Sequence, residues 1–86
     1  MNSLIKQYIN KLTINNINDF AVKNNIILNE KELNILYEIT KNHYEELLKG
    51  NDTKIANYLK ENLTEENYIK VTNLYDEYKT KYQGYL

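Results

Sequence analysis

The chain has 86 residues, 11 of them Lys and none Arg, against 12 acidic side chains, one His and no Cys, for a net charge of -1. That length holds one small domain, residues 1–86, with no room for a second. Two Gly and no Pro exclude turn-rich all-β architectures and polyproline linkers, while the lack of Cys removes disulfides, thiolate nucleophiles and thiolate metal sites.

Ser3 is placed to cap a first helix in which Leu4, Ile5, Tyr8, Ile9 and Leu12 fall on one stripe. Thr13 is the expected cap of a second helix, with Ile14, Ile17, Phe20 and Ala21 on one face. Asn24-Asn25 suits its exit, because Asn tolerates the left-handed conformation better than most non-Gly residues. Ile26-Ile27-Leu28 forms a short apolar bridge, too brief for a partnered strand. Asn29 followed by Glu32 makes a capping-box-like start. The third helix that follows holds Leu33, Leu36, Tyr37, Ile39, Tyr44, Leu47 and Leu48, with Gly50 as its stop. Ile35 and Ile39 lie beside its main face, so it is expected to touch neighbours on two sides, and a break near Asn42-His43 would divide it.

Asn51 or Asp52 caps a fourth helix with Ile55, Ala56, Tyr58 and Leu59, and Thr64-Glu65-Glu66 opens the last, with acids where the helix dipole favours them. Glu45/Lys49, Glu66/Lys70 and Glu77/Lys81 stand at i, i+4 in the favourable order. The pattern predicts an all-α protein: a small bundle of four to five short helices with a longer C-terminal helix.

Three stretches resemble a small family of all-helical cytosolic proteins of low-GC Gram-positive bacteria. They are Leu12-Thr13 opening the helix that contains Phe20-Ala21, the Ile27-Leu28-Asn29 approach to the next helix, and Asn67 to Tyr78. The resemblance implies a cytosolic one-domain helical protein and transfers no catalytic or binding residue.

Charge and patterning narrow the function. A near-neutral chain has no overall field to draw in nucleic acid or an anionic membrane. Apolar runs such as Ile26-Ile27-Leu28 fall far short of the ~20 residues that span a bilayer. Met1 to Lys6 shows no continuous apolar segment of a signal peptide, so a cytoplasmic location is expected. His43 is the sole imidazole and reads as a surface or helix-end residue. Glu45-Glu46 and Glu65-Glu66 are adjacent, hence splayed by about 100° on a helix, which suits solvation better than paired acid/base work. Ser3 has no His–acid pair beside it, Gly50 and Gly84 stand alone, and Arg is absent. No enzyme, cofactor, metal site or small-molecule ligand is therefore expected.

A nucleic-acid-binding helix-turn-helix-like module is the alternative, built from the second and third helices. Its exposed start would be Asn29, Glu30, Lys31, Glu32 and Asn34, where two carboxylates would face phosphate with the wrong sign. Lys6, Lys11 and Lys23 against Asp19 leave residues 1–29 at only +2.

Asn, Lys, Ile and Tyr number 15, 11, 10 and 9, and A/T-rich codons explain much of that bias. They do not explain Tyr at 9 against Phe at 1, whose codons are equally A/T-rich. In the last helix Tyr68, Val71, Tyr75, Tyr78, Tyr82 and Tyr85 recur at spacings of 3 and 4, a seam on one face. Leu74 flanks that seam and Ile69 points away from it. The bland reading is core packing. Buried Tyr needs hydroxyl partners, however, and a small interior cannot easily supply five. The seam is thus the candidate partner-binding surface, for a symmetric homodimer or a partner's amphipathic helix, in a non-catalytic interaction or regulatory module.

Overall fold

The computed structural model describes residues 3–49 and 53–82. Within them the chain forms five helices and no strand: α1 (Ser3–Lys11), α2 (Ile14–Lys23), α3 (Glu30–Lys49), α4 (Thr53–Asn62) and α5 (Glu65–Tyr82). The result is a small all-α bundle with a radius of gyration of 12.4 Å, close to the ~12 Å of a compact chain this long. The expected stop at Gly50, the cap at Asn51 or Asp52, and Tyr85 lie outside the described residues. So do the side chains of Ser3, Ile5, Leu48, Lys81 and Tyr82.

Polar side chains set the helix ends as their spacing predicts. Thr13 Oγ1 accepts the Asn16 N–H at 3.1 Å, and Asn16 Oδ1 accepts the Thr13 N–H at 2.9 Å, a reciprocal cap that starts α2. The exit of α2 is a Schellman turn. Asn25 sits at φ 62°, its N–H reaches Val22 O at 3.0 Å, and the Ile26 N–H reaches Ala21 O at 2.9 Å. Ala21 and Ile26 are both buried, which supplies the apolar contact that this turn favours. At the start of α5, Thr64 Oγ1 accepts the Asn67 N–H at 3.2 Å.

α1 and α2 pack on α3, while α4 packs on α5. Ile55, Leu59 and Leu63, one turn apart on α4 and its exit, meet Ile39 to form the buried cluster. Tyr68 and Val71 close it from α5, with Ile35, Leu36 and Leu47 from α3. α3 therefore faces two sides, and it bends where the break was expected, at His43 (φ -128°, ψ 18°). The α1 stripe is covered only in part: Ile9 and Leu12 are half-buried, but Leu4 and Tyr8 are 70% and 67% exposed. The ammonium of Lys41 on α3 holds the far end of α1, donating to the carbonyls of Ile9, Asn10 and Leu12 at 3.1, 2.8 and 3.3 Å. These carbonyls lie in the last turn of α1 and just past it, where a cation complements the dipole; that of Ile9 also accepts the Leu12 N–H at 3.1 Å. Lys70 donates to Asn25 O at 3.0 Å, so its ammonium serves the α2–α3 turn and not Glu66 as its spacing suggests.

Candidate functional site

The heptad-like spacing on α5 places its aromatic residues at successive depths along the bundle. Tyr68 and Val71 lie against the core cluster. One turn on, the Tyr75 hydroxyl donates to Leu47 O at 2.6 Å and so caps a carbonyl in the last turn of α3. Lys79 Nζ stands 5.6 Å from the Tyr75 ring centre. Tyr78 meets Phe20 of α2 edge to face, with centroids 5.5 Å apart and planes at 61°. Phe20 itself is 43% exposed, so this ring pair borders solvent. Tyr82 ends α5 with an undescribed side chain, and Ile69 points away from the bundle, as expected.

Val71, Tyr75 and Tyr78 also line an apolar pocket of about 270 Å³, partly open to solvent, among α2, α3, α4 and α5. Phe20, Ile39 and Leu59 contribute from the other three helices. No charged side chain lines it, and among its hydroxyls those of Tyr75 and Thr72 already donate to backbone carbonyls, Thr72 to Tyr68 O at 2.9 Å. Nothing in the spacing of α5 signals this space, because its walls come from four helices brought together only by the tertiary fold.

The other side of the bundle holds a polar centre. Glu32 is 1% exposed, and its capping role at α3 is the predicted one: Asn29 Oδ1 accepts the Glu32 N–H at 2.8 Å while Oε1 accepts the Asn29 N–H at 3.0 Å. Oε1 also accepts from Asn67 Nδ2 at 2.9 Å, and Oε2 accepts the Thr64 N–H at 2.9 Å. The Asn67 amide further donates to Ile27 O at 2.9 Å. Burial opposes the charge of Glu32, but the backbone N–H groups of Thr64 and Asn29 and the Asn67 side chain outweigh it, holding the carboxyl below its ordinary range.

At the α3 start Asn29, Glu30, Lys31 and Asn34 are exposed as expected, and Glu32 alone is not. Glu32 faces the protein interior and not a phosphate, because its carboxylate answers N–H groups at two helix starts. Asn34 folds its amide onto Glu30 O at 3.0 Å. His43 sits exposed at the bend with Nδ1 3.0 Å from Glu46 Oε1. Among the described residues, no three His, Cys, Asp or Glu side chains are grouped to hold a metal, and no helix is long and apolar enough to cross a membrane.

No protein-family model matches the chain, and neither a curated protein nor a solved structure is significantly similar to it.

Proposed function

We propose that the chain is a non-catalytic interaction module that meets a second polypeptide, in the simplest case a second copy of itself, through the aromatic strip of α5 and its neighbour on α2. The observation that supports this is the Phe20–Tyr78 pair, two aromatic rings from different helices stacked edge to face at a surface position. Tyr and Phe in such half-covered settings offer a rigid apolar face with little entropy to lose, which is why they dominate the energetic centres of protein contacts. The strip continues in sequence to Tyr82 and Tyr85, so a two-fold axis running along α5 would pair like residues with like.

Light scattering of the purified chain tests the reading. Self-association gives twice the 10.3 kDa chain mass, and changing Tyr75, Tyr78 and Tyr82 together to Ser returns one chain mass. Phe20→Ser, at a half-exposed position, is the milder variant and shifts the same equilibrium without loss of helical circular dichroism. A single-chain mass for the unaltered protein at all concentrations excludes the homodimer.

A further inference from the structure

Beyond that contact, we infer that the cavity among α2, α3, α4 and α5 is a binding site for a small, uncharged apolar molecule. Its volume of about 270 Å³ exceeds the ~150 Å³ of an apolar cavity known to hold benzene, and corresponds to a guest on the order of ten non-hydrogen atoms. The walls fix the chemical class. Ile39, Leu59, Val71 and Leu74 supply hydrocarbon from three helices, and no charged residue reaches the lining.

Of the four hydroxyls in the lining, those of Thr40, Thr72, Tyr75 and Tyr78, two already donate to backbone carbonyls. The Tyr75 hydroxyl donates to Leu47 O and the Thr72 hydroxyl to Tyr68 O. A water molecule needs two to four polar partners to be held, so hydrocarbon is the favoured occupant. With no ammonium or carboxylate in the wall, a charge carried inside among the lining residues would go unpaired. The pocket is partly open to solvent, so a guest enters without unfolding a helix, and the exposed Phe20 ring, edge to face with Tyr78, forms part of its wall.

Toluene is the probe, titrated into chain with labelled Ile, Leu and Val methyl groups and followed by NMR at a concentration where the mass is that of one chain. The expected result is a saturable shift of the Ile39, Leu59 and Val71 methyls, weakened at least tenfold by Ala56→Leu, which fills the wall from α4. Xenon supplies a second readout that needs no variant: its resonance moves on entering the apolar pocket and moves back when toluene competes. A linear, non-saturating toluene response with no displacement of xenon overturns the inference, as does an unchanged curve in a folded Ala56→Leu chain. Either result leaves the molecular-mass test untouched, so the two readings fail separately.

Discussion

Oε2 of Glu32 accepts the Thr64 N–H at 2.9 Å across 32 positions of sequence, so the first turn of α3 holds the first turn of α5. One carboxylate thereby serves donors at two helix starts, with Asn67 as the third partner. Glu32→Gln keeps the shape but turns an amide NH2 toward at least one N–H donor. A hydrogen bond to a buried charged group is worth about 1.5–3 kcal/mol, and an unsatisfied donor costs a similar amount. The variant is expected to lose about 2 kcal/mol in urea unfolding, with a Tm lower by roughly 10 °C for a chain this short.

The same carboxylate sets an acid limit. Its folded pKa lies below the ordinary value of 4.5, so near and below that value the unfolded chain binds more protons than the folded one. Stability from this group is present above pH 4.5 and declines as pH falls through the depressed folded value. The urea midpoint of the unaltered chain should drop more steeply below pH 4.5 than that of Glu32→Gln. Parallel pH profiles would show that Glu32 is not the group responsible.

Asn25 occupies the left-handed region at φ 62°, where a Cβ is penalised. Asn25→Gly should be neutral or gain up to about 1 kcal/mol, whereas Asn25→Val should lose at least about 1 kcal/mol by forcing a β-branched residue into that geometry. Thermal unfolding of the two variants side by side checks the sign.

Lys41 closes α1 from α3, beside the half-buried Ile9 and Leu12, while the side chains of Leu4 and Tyr8 are exposed. Lys41→Met keeps the aliphatic stem and removes the cation. Hydrogen exchange at the amides of Tyr8 to Lys11 should speed up at least tenfold while α5 amides change far less. Uniform acceleration along the chain would instead mean that α1 unfolds only with the whole.

Helix positions, the Thr13 and Asn29–Glu32 caps, the Asn24-Asn25 exit and the bend at His43 were legible because each rests on residues within a turn or two of one another. Spacing alone could not reveal the Glu32–Thr64, Lys41–Ile9 and Tyr75–Leu47 contacts, each of which joins residues at least 28 positions apart. Only the tertiary fold gives the ammonium groups of Lys41 and Lys70 backbone carbonyls to meet. The seam on α5 was visible as a period. Its division depends on which neighbour each residue meets: the core cluster for Tyr68 and Val71, Leu47 of α3 for Tyr75 and Phe20 of α2 for Tyr78.

A dilution series of 15N–1H NMR spectra most directly probes self-association through the Phe20–Tyr78 surface. Amides around Phe20, Tyr75 and Tyr78 should shift progressively on dilution while those near Lys41 and Glu32 hold still. Spectra that superimpose at every concentration, or shifts gathered around Lys41 and not the aromatic strip, would contradict it.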